Sequence, residues 1–502
     1  MEVKSTDLVS LFEKALAGVS EESFQELGLV IQVGDGACKI QGLHQVMYGE
    51  LLEFSGGNKG IVLDLDEDYV FAFLLFPQIH VQELEQVRRT GGVFTVPVGD
   101  DLLGRVVDAL GNPIDGLGGV ETVQMRPIEA VIPGIAQRSP INQSLETGII
   151  VIDALVPIGR GQRELIIGNR STGKTSIALD AIIHQKGRNV LCVYVAIGQR
   201  EANVARVVRT LELHGALSYT IVVRATASDS SLENYLAPYV GCTMAEYFRD
   251  QGKDLLIIYD DLSNHAIAYR EMSLLMRRSP GREAYPGDIF YLHSRLLERA
   301  GKLLGGGSIT ALPIVRVQSD DITAYIPTNL ISITDGQIFL DSALFKQGVR
   351  PAVNVELSVS RVGGAAQTKA IKKVTSALRL ELAQYHELLG FSQFGTELDT
   401  LSRQRLERGS LVVELLKQPQ YLTYSFTEQV ILLFMLRTKL LDGIEPKRAA
   451  EYARRFVSYV QSVYPDIPDE IGRTGELRPG VEHRLTEIAR EFGKIMDTPP
   501  KK

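Results

Sequence analysis

The stretch Gly168-Asn169-Arg170-Ser171-Thr172-Gly173-Lys174-Thr175 fits GxxxxGK[ST] and limits what this chain can fold into more than any other part of it. Before it lies Glu164-Leu165-Ile166-Ile167, short, apolar and β-branched, as a buried strand should be. After it, Ser176-Ile177-Ala178-Leu179-Asp180-Ala181-Ile182-Ile183 reads as a helix. Strand, glycine-rich loop and helix in that order make a phosphate-cradling loop. Its glycines let main-chain N–H groups face an anion, and the helix N-terminus adds partial positive charge. Lys174 then reaches the β- and γ-phosphates of a nucleotide, and the Thr175 hydroxyl ligates Mg²⁺.

Two further strands place polar groups where such a loop needs them. Val190–Ile197 ends at Gly198-Gln199-Arg200-Glu201, and Leu255–Tyr259 ends at Asp260-Asp261. Ligands of open α/β sheets bind at the carboxyl ends of strands. Asp260 therefore fits the acid that holds the Mg²⁺ shell, through a water. From about residue 151 strands and helices alternate, which predicts an α/β domain with a mainly parallel sheet.

The rest of the chain surrounds that domain. With 502 residues the chain is too long for one core. The expected order is an N-terminal amphipathic helix in 1–25, a β-barrel in 26–97, a nucleotide-binding α/β domain in 98–365 and a helical domain in 366–502. Leu8, Leu11, Phe12, Ala15, Leu16 and Val19 recur at helical spacing over residues 5–19. From about 27 the period changes to two, with turns at Gly34-Asp35-Gly36 and Ser55-Gly56-Gly57-Asn58. The expected strands there are Leu29–Val33, Ala37–Ile40, Glu50–Phe54, Gly60–Leu65, Tyr69–Phe76 and Val93–Val98, enough for a small closed barrel. Residues 98–150 read as a Gly/Pro-rich connector. Near the C-terminus Ser425-Phe426-Thr427-Glu428 is a capping box, and Asp399–Arg408 reads as a helix stopped by Gly409.

Composition excludes several classes. A net charge of −8 and a barrel without basic-aromatic interleaving argue against nucleic-acid binding. Cys38, Cys192 and Cys242 form no CxxC pair, so a disulfide framework or zinc site is not expected and a reducing compartment is. The N-terminal residues have no apolar signal core and are not of the acid-poor transit type. Apolar runs such as Val70–Phe76 and Val430–Leu436 are far below the ~18 residues of a membrane span.

Four stretches carry a resemblance to a known family: Val156–Gly168, Pro280–Asp288, Ile331–Phe339 and, most diagnostic, Ser358-Val359-Ser360-Arg361-Val362-Gly363-Gly364-Ala365-Ala366-Gln367. With them the chain resembles, over nearly its whole length, the alpha subunits of F-type ATP synthase, the rotary ion-translocating ATPase. The resemblance implies barrel, phosphate-loop NTPase domain and helical bundle in that order. It implies an alternating ring of three alpha and three beta subunits around a central gamma stalk, with a peripheral stalk meeting the N-terminal region. It implies ATP or ADP with Mg²⁺ at a site that does not turn over, in a complex coupling ATP synthesis or hydrolysis to proton or sodium transport. Such a subunit is peripheral, on the cytoplasmic face of a bacterial membrane rather than a thylakoid, and meets the membrane only through the ion-translocating sector.

Single residues follow from the same resemblance. Arg361 reaches the neighbouring beta site and stabilises the γ-phosphate charge. Phe345, Arg350 and Pro351, with Gln418 and Gln420, lie on the adenine side. Glu387–Asp399, interrupted by Gly390 and Gly395, faces the stalk. The beta family places a water-activating Glu after the glycine where this chain has Gln199, and an amide cannot take a proton from water. Glu201 could substitute from two residues on. The alpha family usually has Asp at position 169 and Gln at 171, so Asn169 and Ser171 point to a divergent, second-copy or sodium-type branch. Two alternatives stay open: a homohexameric secretion-type ATPase, and an RNA-translocating hexameric helicase with a basic, aromatic RNA track.

Overall fold

Residues 27–76, 79–121, 124–392, 399–442 and 444–496 are described by a computed structural model. The amphipathic stretch 5–19 and Gly395 lie outside those residues. The chain divides into two compact units, one ending at Phe94 and taking in Leu274–Arg278, the other holding the remainder.

The first unit is a closed antiparallel barrel of β1 (Leu27–Gly34), β2 (Ala37–Gly42), β3 (Glu50–Phe54), β4 (Lys59–Leu65), β5 (Tyr69–Leu74) and β6 (Gln86–Val93), ordered β1-β2-β5-β4-β3-β6. Alternate residues turn inward, so Val30, Ile40, Leu52, Val62, Ala72 and Val87 make its core. Gly34 pairs with Ala37 across the first predicted turn. Gly57 N–H donates to Phe54 O at 2.9 Å across the second. The predicted last strand is displaced. Gln86–Val93 closes the barrel, whereas Thr95–Val98 pairs with Gln124–Pro127 outside it. Only Val87 of Gln86–Val93 is buried, so the strand lacks the apolar alternation by which the others are read.

The second unit is organised around a mainly parallel sheet: β7 (Val106–Asp108), β8 (Leu165–Gly168), β9 (Val190–Gln199), β10 (Thr220–Thr226), β11 (Asp254–Asp260), β12 (Ser308–Arg316), β13 (Gly336–Leu340) and β14 (Val359–Ser360). The order is β14-β13-β8-β12-β11-β9-β10-β7, and only β14 runs antiparallel along this path. The connector after the barrel therefore contributes β7 to the sheet edge. Helices on both faces bury Leu165–Gly168 and most of β9 and β11, which is why these strands are continuously apolar.

The C-terminal part is helical. The capping box is present, with Ser425 N–H donating to the Glu428 carboxylate at 2.6 Å. Gly409 does not stop its helix, which runs Thr400–Leu416. A Cβ at 409 would lie 2.3 Å from the Tyr385 Cβ, so the glycine lets the helix Leu378–Ser392 approach closely. That helix also runs on through Gly390.

A buried histidine pair gives this unit an acid-sensitive point. His265 and His293 are fully buried with ring centroids 5.4 Å apart. Neither ring nitrogen of His293 has a hydrogen-bond partner among the described residues. Burial pulls His293 down from 6.5 to about 4, and burial with the neighbouring His293 pulls His265 well below its ordinary value. Below pH 6.5 the unfolded chain takes up protons that the folded chain refuses, so stability present above that pH is lost as pH falls toward about 4. Each such histidine costs about 1.4 kcal/mol per pH unit across its window. The thermal midpoint should fall over that range, and less steeply in His293→Phe.

Candidate nucleotide-binding site

The phosphate loop leaves the carboxyl end of β8 and enters the helix Lys174–His184. Gly173, at φ 101°, takes a left-handed conformation that glycine adopts without Cβ strain and turns the chain into the helix. Lys174 is buried, and its ammonium donates to Gly168 O at 2.8 Å and to Asn169 O. Burial, the largest influence, lowers its pKa to about 8 against the opposing pull of Asp261 and Asp260. Thr172 Oγ1 donates to Asn169 O at 2.8 Å and keeps the loop closed.

Asp260 ends β11 beside the first helical turn after the loop. Thr175 Oγ1 donates to its Oδ2 at 2.7 Å, Tyr194 OH donates to the same oxygen at 2.8 Å, and Gln199 Nε2 donates to Oδ1 at 3.1 Å. The group is 3% exposed, and burial raises its pKa above the usual carboxylate range. Its neighbour Asp261, raised to about 6 mainly by burial, pairs with Arg316 at 2.8 Å. These residues fit Mg²⁺, which takes one or two carboxylates and a hydroxyl together with water and phosphate oxygens. A divalent ion there would favour the charged form that burial disfavours.

A cavity of about 680 Å³ runs from Arg170, Lys174 and Thr175 past Gln199 and Asp260 to Phe345 and Gln420. Its lining carboxylates are Asp260 and Asp261. Glu201 is not among the lining residues; it is exposed and pairs with Arg224 at 2.7 Å. A smaller cavity of about 40 Å³ brings together Phe345, Arg350, Pro351, Gln418 and Gln420 beside Thr172 and Gly173. The Arg350 guanidinium lies 4.8 Å from the Phe345 ring centroid. Gln420 is exposed and donates to Ser176 Oγ at 2.9 Å.

Gln418 is differently employed. Its Nε2 donates to Gly148 O at 2.8 Å and Leu422 O at 2.5 Å, and its Oε1 accepts from Ile150 N at 3.1 Å. The amide is spent on main chain and has no donor left for a base edge. Asn169 joins segments in the same way. It donates to Ser342 Oγ at 2.8 Å and accepts from Asp320 N at 3.0 Å, tying the loop to the short helix Ser342–Lys346 that carries Phe345.

Arg361 lies at the opposite end of the sheet. Gly168 pairs with Leu340 at the loop end of β8, whereas Ser360 pairs with Gly336 at the start of β13. Arg361 is exposed, and its guanidinium makes two long hydrogen bonds of 3.4 Å, to Ile331 O and Thr334 O. It does not join this chain's own phosphate cavity.

Several participants are invisible to pattern reading. Tyr194 sits mid-strand among apolar residues, and Asn264 and Arg316 come from distant segments. Asn264 Nδ2 donates to Ile197 O at 2.7 Å and so holds the end of β9. The pair Asp260-Asp261 at a strand end is the one signal that points to them.

Comparison with known proteins agrees with this geometry. Residues 148–360 match the ATP synthase alpha/beta family nucleotide-binding domain, 23–91 its beta-barrel domain and 367–492 its C-terminal domain. The chain is 53% identical over 497 residues to ATP synthase subunit alpha of Acetivibrio thermocellus, covering 98% of each. It is 54% identical over 471 residues to the same subunit of Caldanaerobacter subterraneus subsp. tengcongensis, covering 93% of each. It is 50% identical over 509 residues to ATP synthase subunit alpha 1 of Nitrosospira multiformis, covering 98% of this chain and 99% of that one.

Proposed function

The chain belongs to the ATP synthase alpha/beta family, and from that premise we propose that it is an alpha subunit whose own site holds Mg-ATP without cleaving it. The observation that carries this reading is the group facing the phosphate loop across the cavity. Gln199 occupies the end of β9, and its amide donates to Asp260. An amide at this place can hold a water but cannot take its proton. Glu201, the other candidate base, is held by Arg224 outside the cavity. An attacking water would then have no spare carboxylate to deprotonate it.

The chemistry this chain assists lies in a neighbour. Arg361 is exposed, at the far end of the sheet from its own loop, and in no ion pair among the described residues, although its charge reaches the buried Glu164 carboxyl. Those features suit a guanidinium offered across an interface to a beta subunit's nucleotide, where it would stabilise the transferring phosphoryl group. The ring of alternating alpha and beta subunits around gamma, a peripheral stalk at the N-terminal region, and coupling to proton or sodium transport complete the reading. No helix among the described residues is long and apolar enough to cross a membrane, which suits a subunit docked on the cytoplasmic face of a bacterial membrane through others.

The purified chain with Mg-ATP tests it. It should bind nucleotide at equilibrium and release essentially no phosphate until beta and gamma are added. Sustained hydrolysis by the chain alone would sink the reading and favour a self-sufficient homo-oligomer.

A further inference from the structure

We infer that Arg163 is a positioning residue for Arg361: its guanidinium fork fixes Asp335, and the main chain of Asp335 fixes Arg361. The inference rests on the reading of Arg361 as a group lent to a neighbouring site.

The contacts form a continuous path. Arg163 Nε donates to Asp335 Oδ2 at 3.1 Å and Nη2 to Oδ1 at 2.9 Å, while Arg163 N–H donates to Oδ2 at 2.9 Å. Asp335 N–H donates back to Arg163 O at 2.8 Å, and Asp335 O accepts from Arg361 N–H at 2.9 Å. The remaining Nη1 of Arg163 donates to the Glu298 carboxylate. The Arg163 side chain is 15% exposed. A planar guanidinium forked onto a carboxylate and partly shielded from water has one favoured geometry, which a lysine cannot reproduce.

Gln162, the residue before Arg163, grips the other flank of Arg361. Gln162 Nε2 donates to Ser360 Oγ at 3.1 Å, and Ser360 Oγ donates to Pro157 O at 2.6 Å. A Cβ on Gly336 would fall 2.1 Å from Val359 O, so the two backbones already touch. Among the described residues the head of Arg361 makes just two long hydrogen bonds of 3.4 Å, beside the more distant charge of Glu164. Its main chain is therefore the fixed part, and the direction in which the side chain is offered depends on what fixes that main chain. Arg163 sits at the amino end of β8 and the phosphate loop at the carboxyl end. Loss of the fork should then alter the lent arginine and leave this chain's own nucleotide grip alone.

The test uses the complex co-assembled with beta and gamma, carrying Arg163→Gln, Arg163→Lys or Asp335→Asn, each with and without Arg361→Ala. The single variants should lower kcat about 10- to 100-fold, the scale of a misplaced catalytic group. KM and Mg-ATP binding at the alpha loop should stay unchanged, and lysine should restore little. Added to Arg361→Ala, none should cost anything further, because the group they position is gone. A merely structural defect would instead add to Arg361→Ala. Full kcat in Arg163→Gln and Asp335→Asn beside an impaired Arg361→Ala would overturn the inference alone, as would additive losses. Full kcat in Arg361→Ala would overturn the parent reading with it. Should Arg163→Gln not assemble, Asp335→Asn, which keeps its size and one acceptor oxygen, decides.

Discussion

Arg361→Ala, assembled with beta and gamma, should lower multisite ATP hydrolysis by about 10³–10⁵-fold, the range found for arginine fingers. That loss corresponds to about 4–7 kcal/mol of transition-state stabilisation. The magnitude follows from where the guanidinium acts. Charge on the transferring phosphoryl oxygens grows in a water-poor interface, where a fixed cation is worth far more than in solvent. Within this chain the same side chain contributes little: it is exposed and makes two 3.4 Å bonds to helix-terminal carbonyls. The variant should therefore fold and assemble normally and keep Mg-ATP on the alpha loop. Lysine at 361 should recover only part of the rate, because a point charge replaces a planar fork.

The second large effect is expected in the loop itself. Lys174→Met should weaken Mg-ATP binding to the isolated chain by about 2–5 kcal/mol, the usual cost of truncating one partner of a desolvated charge pair, from ~30-fold to above ~10³-fold in Kd. Lys174 is 7% exposed, and a phosphate would meet its ammonium with little water between them. A pH signature accompanies it. Burial lowers the Lys174 pKa to about 8, whereas bound phosphate would raise it again. Above pH 8 binding must first take up a proton, so affinity should fall with rising pH, by up to about tenfold per unit. Isothermal titration across that range should show proton uptake in the wild type and none from this source in Lys174→Met.

How much of this is legible in the sequence depends on the range of the interactions involved. The phosphate loop is readable because its residues fix local backbone geometry: Gly173 at positive φ, Lys174 and Thr175 opening a helix. The strands β9 and β11 are readable because burial on both faces makes them continuously apolar. Gln86–Val93 is not, because its barrel pairing leaves seven of its eight residues only partly buried or exposed. Gly409 is misread as a helix stop because a glycine required by a neighbour 24 positions away, Tyr385, looks the same as one required by its own backbone. The amide of Gln418 meets main chain near Gly148 and Ile150, and no spacing rule brings those segments together. The Arg163–Asp335 fork is unreadable for the same reason, since a salt bridge across a sheet leaves no local pattern.

The central claim is a division of labour: one loop that holds nucleotide, and one arginine that serves another subunit's chemistry. It is tested most directly by a crossed measurement on co-assembled complexes, scoring initial hydrolysis rate and nucleotide retained on the alpha loop. Lys174→Met should lose the alpha nucleotide and keep the initial rate, while Arg361→Ala should keep the nucleotide and lose the rate. The account is contradicted if Lys174→Met abolishes the initial rate while Arg361→Ala leaves it intact.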